Sequence, residues 1–83
     1  MEVSNLRRST RKHKKYMTDV VYNGKFYKNQ HFGDNRYKHY KDSTELKLYS
    51  NLDHNDFDRK RLFHSRHKNN NGISAMISKE FLW

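Results

Sequence analysis

The clearest local signal in the pattern of hydrophobic and polar positions runs from residue 16 to residue 28. Tyr16-Met17-Thr18-Asp19-Val20-Val21-Tyr22 is β-branched and aromatic, Asn23-Gly24 follows, and Lys25-Phe26-Tyr27-Lys28 resumes the pattern. Asn-Gly tolerates the positive φ angles of a type I′ turn, whose twist matches two paired strands. In that register Val21 faces Phe26, Val20 faces Tyr27 and Asp19 faces Lys28, so each pair is apolar or of opposite charge. A two-stranded hairpin needs cover on one face to be stable. His31-Phe32-Gly33-Asp34-Asn35 carries turn formers and is expected to end the second strand. Arg36-Tyr37-Lys38-His39-Tyr40-Lys41 then alternates basic and aromatic residues, as a loop or a short third strand.

Residues 43–52 admit two readings. Asp42 with Glu45 three residues on would cap a short helix, while the alternation of Leu46, Leu48, Ser50 and Leu52 fits a strand equally well. Residues 55–68 read as a helix, with Asn55 as N-cap, Asp56 and Asp58 in the first turn, and Arg66, His67 and Lys68 in the last, complementing the macrodipole. At 100° per residue, Arg59, Leu62, Phe63 and Arg66 share one face, and Lys60, Arg61, His64 and Lys68 the other. Asn69-Asn70-Asn71-Gly72 breaks the helix. Ile73, Met76, Ile77 and Phe81 recur at helical spacing with Trp83 near the same edge, which predicts a closing helix packed on the hairpin.

Composition sets how this can hold together. Leu, Ile, Val and Phe make up about 19% of the 83 residues, so the six Tyr and single Trp must carry part of any core. Eighteen Lys and Arg against nine Asp and Glu give a net charge of +9, which favours a polyanionic partner. More than half of that excess lies in residues 1–15, where Arg7, Arg8, Arg11, Lys12, Lys14 and Lys15 oppose only Glu2. Mutual repulsion predicts a disordered basic arm there, ahead of a small domain over residues 16–83. No apolar run approaches the roughly 18 residues that span a bilayer, and no apolar stretch follows the basic start as in a signal peptide. A chain without membrane contact is expected. With no cysteine, disulfides, thiolate metal sites and cysteine nucleophiles are excluded together.

The basic leader ending in Lys14-Lys15-Tyr16, His31-Phe32-Gly33 with Tyr37 after it, Leu52-Asp53-His54-Asn55-Asp56, Phe63-His64-Ser65-Arg66-His67 and the final Phe81-Leu82-Trp83 follow one another in a spacing that resembles a family of small proteins of giant DNA viruses, of the mimivirus and phycodnavirus kind. The resemblance covers nearly the whole chain beyond the leader. It implies a compact domain found in the virion or the infected host cell, and brings no mechanism with it.

Six histidines raise the question of metal, and His64 with His67 is spaced to put two imidazoles on one side of a helix, near His54, Asp53, Asp56 and Asp58. Caps and polar contacts account for these residues as well, so no metal site and no cofactor is assigned. Asp53-His54-Asn55 invites comparison with His-Asn-His nucleases, but their hairpin-then-helix frame is missing around it. No catalytic residue is assigned. Basic residues interleaved with aromatics match polyanion binding better, since cations neutralise phosphates while exposed rings stack on unpaired bases.

Tyr37, His39 and Tyr40 among Arg36, Lys38 and Lys41 fit that description, although the same rings would serve a core. Arg59 and Arg66, beside Leu62 and Phe63, suit internal pairing with Asp42 or Asp53. External phosphate contacts are expected from Lys60, Arg61, His64 and Lys68, from Arg36 and Lys38, and from the arm. The expectation is an α+β domain, a hairpin or short antiparallel sheet packed by two short helices, acting as a non-enzymatic DNA- or RNA-binding protein. A structural virion component meeting acidic surfaces of other virion proteins is the alternative, and a metal-dependent nuclease the third.

Overall fold

The computed structural model describes residues 1–70 and 72–83; Asn71, one of the expected helix breakers, lies outside the described residues. Three antiparallel strands in the order β1-β2-β3 form the sheet: β1 (Glu2–Arg8), β2 (Lys14–Tyr22) and β3 (Lys25–Asp34). Helices α1 (Phe57–Arg66) and α2 (Ile73–Phe81) follow, and the fold class is α+β as the pattern predicts.

The β2-β3 hairpin turns at Asn23 and Gly24, whose φ angles are 51° and 76°. Val20 pairs with Tyr27 and Val21 with Phe26, in the expected register. Asp19 does not pair simply with Lys28. Between Thr18 and Val20 the partner strand carries an extra residue, with Asn29 at φ 56°. The Asp19 carboxylate accepts the freed Asn29 N–H at 3.0 Å, which pins this bulge. β3 ends at Asp34, within the expected His31–Asn35 segment, and reaches that far because Phe32 pairs with Tyr16 and both side chains are wholly buried.

The third strand is not residues 36–41 but the N-terminal segment expected to be a disordered arm. Glu2 pairs with Val21, Val3 with Val20, and Arg8 with Tyr16. Repulsion is outweighed there by backbone pairing, by Leu6 packing on the core, and by local neutralisation of Arg7. The Arg7 guanidinium donates to the Asn5 carbonyl at 2.6 Å and to the Asn29 side chain, and it lies 3.9 Å from the Asp19 carboxylate.

Aromatic side chains carry the core. Tyr16, Val20, Phe32, Ile77 and Leu82 are buried together, with Tyr49 edge-on to Tyr16 at 5.3 Å and Phe81 against Phe32 at 6.0 Å. Helix α2 packs on β3 through Ile77, and the Ser74 hydroxyl donates to the His31 carbonyl at 2.6 Å.

Residues 43–52 take neither expected form; apart from a 3-10 turn at Ser50–Leu52 they are irregular. Asp42 organises them instead. Its buried carboxylate accepts the Tyr16 hydroxyl, the Thr44 hydroxyl at 2.6 Å, the Thr44 N–H at 3.0 Å and the Tyr49 N–H at 3.1 Å. The Tyr16 oxygen in turn accepts the Leu48 N–H at 2.9 Å. Burial alone would raise the Asp42 pKa, but hydrogen bonds from Thr44 and Tyr16 and from backbone N–H groups hold it below the usual value.

Helix α1 starts one residue later than expected. Asn55 sits at φ 54° with its N–H on the Tyr40 carbonyl, and Asp56 is the N-cap, accepting from Asp58 N at 3.0 Å and Arg59 N at 3.3 Å. The inward face is also different: Lys60, Phe63, His64 and His67 turn toward the body, whereas Arg59, Leu62 and Arg66 are exposed. Arg59 and Arg66 form no ion pair among the described residues; Asp42 is taken by Tyr16 and Thr44, and Asp53 by His39. The cause is Trp83, whose ring stacks on Phe63 at 4.3 Å and 4° and whose main-chain oxygen accepts from His64 Nε2 at 2.8 Å.

Candidate nucleic-acid interface

The turns and Trp83 together shape one end of the molecule. At the end of the sheet away from the Asn23-Gly24 turn, Lys14 pairs with Asp34, and the segment joining β1 to β2 lies against the chain leaving β3. Asn35 ties the two, donating its backbone N–H to the His13 carbonyl at 3.2 Å and its side-chain amide to the Lys12 carbonyl at 3.1 Å. Arg11, Lys12 and Lys14 are thereby placed beside Arg36, Tyr37 and Lys38. A cleft of about 340 Å³ opens between this end and the helices, with Lys14, Lys38 and Tyr37 on one side and Phe63, His67 and Trp83 on the other. Gly33 and Leu82 also border it.

The walls are aromatic. Tyr37 is 64% exposed, and the Arg36 guanidinium lies 5.6 Å from its ring centre. Across the cleft the rings form a series, from His67 to Phe63 at 4.3 Å, Phe63 to Trp83 at 4.3 Å, and Trp83 to His54 at 5.2 Å. Among the described residues the one side-chain carboxylate bordering the cleft is that of Asp34, and Arg36 chelates it with bonds of 3.0 and 2.7 Å. The Arg36 side-chain bond and charge hold the Asp34 carboxyl well below its ordinary range, against a smaller effect of burial. No ion-pair partner for Arg11, Lys12, Lys14 or Lys38 occurs among the described residues.

The twelve residues expected to meet phosphate are distributed unevenly. Lys14 and Lys38 line the cleft, and Arg11, Lys12 and Arg36 lie on the turns beside it, with Arg36 committed to Asp34. Arg7 is engaged internally, and Arg8 donates to the Tyr49 hydroxyl at 3.1 Å, over its ring. Lys60 sits with its ammonium 4.6 Å from the Tyr40 ring centre, and His64 is bound to Trp83, so neither forms the outward cationic face expected of α1. Arg61 and Lys68 are exposed on α1 and just beyond it. The expected basic-aromatic stretch divides: Tyr37 faces out, His39 is buried, and Tyr40 lies beneath Lys60. Phe63, His67, Ser78 and Trp83 were not assigned to a site by pattern; the i, i+4 recurrence of Phe63 and His67 was the available signal.

Lys15 is the largest departure. Expected on the outside, it is 2% exposed, and its ammonium donates to the Tyr37 carbonyl at 3.0 Å. Burial pushes its pKa down to about 8, although Asp34, Asp42 and Asp53 pull it up. The unfolded chain holds this proton up to about 10.5, so stability should rise as pH rises from about 8 to 10.5. Tyr16 acts oppositely. Its pKa is raised to about 12 by burial and by Asp42, so its contribution is lost as pH climbs from 10 toward 12. Lys15→Met is expected to change stability at pH 7 by less than about 1 kcal/mol, since a buried charge is often replaced by an apolar side chain at little cost. Urea midpoints measured from pH 7 to 10 should lose their upward slope in this variant; an unchanged slope would place the titrating group elsewhere.

His39, wholly buried, uses Nε2 on the Asp53 carboxylate at 2.5 Å, while Nδ1 has no partner among the described residues. Burial, then the charge of Lys15, lowers its pKa in spite of Asp53. His54 Nδ1 accepts the Asp56 N–H at 2.9 Å and the ring packs on Trp83, so it serves the loop that starts α1. His64 and His67, weighed above as metal ligands, are occupied by the Trp83 main chain and the Phe63 ring. No cluster of three or more His, Asp or Glu side chains suited to a metal occurs among the described residues.

Comparison with family models, with curated proteins and with solved structures finds no match to this chain. The resemblance to giant-virus proteins therefore rests on the short segments quoted above. Among the described residues no helix is long and apolar enough to cross a membrane.

Proposed function

We propose that this protein is a non-enzymatic nucleic-acid-binding protein that meets phosphates at the cleft end of its sheet. The observation that carries this is an aromatic cleft lined by Lys14 and Lys38, with Arg11 and Lys12 on the turn beside it, whose only bordering side-chain carboxylate among the described residues is already neutralised by Arg36. Cations without acidic partners attract polyanions, and rings beside them favour one that also presents flat bases. The family resemblance suggests a setting, the virion or the infected cell.

With about five phosphates neutralised, log affinity should fall against log salt with a slope of about −4.5 for duplex DNA and about −3.5 for a single strand. Fluorescence anisotropy across a salt series measures this. Replacing Lys12, Lys14 and Lys38 by Gln should reduce the slope by about 2 to 3. Replacing Lys25 and Lys28, which flank the far turn, should leave it unchanged. Absence of salt-dependent binding, or an equal effect of the two replacements, would refute the assignment.

A further inference from the structure

Building on the reading above, we infer that the cleft between Tyr37 and the Phe63-Trp83 pair takes one unpaired base of a single strand, while Lys14 and Lys38 hold the adjoining phosphates. Several independent features converge on it. Its volume of about 340 Å³ lies within the range of small-ligand sites, which begins at about 300 Å³. Phe63 and Trp83 stack in parallel, 4° apart with ring centres at 4.3 Å, and line the cleft together with the exposed Tyr37. Gly33 lets Leu82 pack directly on the backbone at the floor: a Cβ there would stand 2.8 Å from Leu82 Cδ1. Polar groups for a base edge are present in the Ser78 hydroxyl and the His67 ring, both on the lining.

The same geometry discriminates against a duplex. Paired bases are stacked inside the helix and offer the cleft only phosphates, which Lys14, Lys38 and Lys12 can meet without any use of the rings. A single strand can rotate a base into the cleft at low cost. Every base has a π face, so stacking selects unpaired strands without selecting sequence. RNA and DNA both supply such a base.

Four labelled oligonucleotides of equal length separate the possibilities: a single DNA strand, the same sequence as RNA, the DNA strand paired with its complement, and a strand of the same phosphates whose central positions lack bases. One base stacked is worth between about fivefold and a hundredfold in affinity. At 0.15 M salt, on the order of physiological, at least one base-bearing single strand should bind about tenfold more tightly than the baseless strand and the duplex. Trp83 is the sole tryptophan, so its emission should be quenched by the base-bearing strand and not by the baseless one. Tyr37→Ala should remove most of the tenfold preference for the base-bearing strand over the baseless one. Equal affinity for base-bearing and baseless strands, or unaltered Trp83 emission, would overturn the inference while leaving phosphate binding intact. Failure of every oligonucleotide to bind would overturn both.

Discussion

Asp42→Ala is expected to lose about 4 kcal/mol in urea denaturation at about 25 °C, roughly a third or more of the stability of a domain of this length. The carboxylate is 1% exposed and satisfies four donors, two from side chains and two from the backbone of the loop it organises. Hydrogen bonds to a charged acceptor contribute about 1.5 to 3 kcal/mol each, and a buried donor left unmet costs about 1 to 3. Opening of the loop to water would recover part of that, which keeps the expected total near 4. A domain of this length has roughly 4 to 12 kcal/mol to lose. Tyr16→Phe tests the same centre more gently: it removes one donor to Asp42 and the acceptor of Leu48 N–H, for about 2 kcal/mol. An Asp42→Ala protein as stable as the parent would mean that the loop is held by its apolar contacts alone.

The acid side of the stability profile follows from the same groups. His39, His31 and His54 all have pKa values lowered first by burial, so the unfolded chain takes up protons from about pH 6.5 downward while the folded chain resists. The contribution of these histidines is therefore full above that pH and declines below it. Below about pH 4 a second loss begins, as Asp42, Asp34 and Asp19, whose folded values are depressed, give up their hydrogen bonds.

What could be read from the sequence was local. Asn23-Gly24 between two β-branched and aromatic runs specified its hairpin because turn chemistry and cross-strand pairing agree within a dozen residues. Helix α2 was legible for the same reason, in the spacing of Ile73, Ile77 and Phe81. Strand β1 was not, because its net charge argues for disorder; the contacts that offset it, Val3 on Val20 and Arg7 near Asp19, lie across the sheet.

Residues 43–52 balanced between helix and strand because Asp42 and Thr44 satisfy backbone and side-chain donors locally, an alternative that competes with both. On α1 the wheel identified an apolar face but gave it to Leu62 and Phe63 together. Trp83, reached only through the tertiary fold, selects Phe63 and leaves Leu62 half exposed. The cleft inherits this: its cations Lys14 and Lys38 were expected to meet phosphate, whereas Phe63 and Trp83 among its rings were expected in the core.

Gly33→Ala should cost about 3 kcal/mol, near 15 °C in melting temperature for a chain of this size, and Gly24→Ala about half as much or less. The comparison is informative because the two glycines share a backbone conformation, with φ 77° and 76°. Either alanine therefore carries the left-handed penalty of about 1 to 2 kcal/mol. Around Gly24 a Cβ meets nothing within 4 Å. At Gly33 it would lie 2.8 Å from Leu82 Cδ1, 3.0 Å from Lys15 Cδ and 3.2 Å from Lys15 Cβ. Leu82 is buried and cannot swing freely, and the Lys15 Cβ is fixed to its strand, so an overpacking cost of about 1 to 3 kcal/mol is added. Equal shifts in thermal unfolding for the two variants would show that Leu82 and Lys15 yield without cost. The larger shift at Gly33 carries a functional consequence, because Leu82 and Lys15 both border the cleft and an inserted methyl crowds its floor. At temperatures where the variant remains folded, the base-bearing strand should lose affinity while the baseless strand, held by Lys14 and Lys38 at the rim, keeps it.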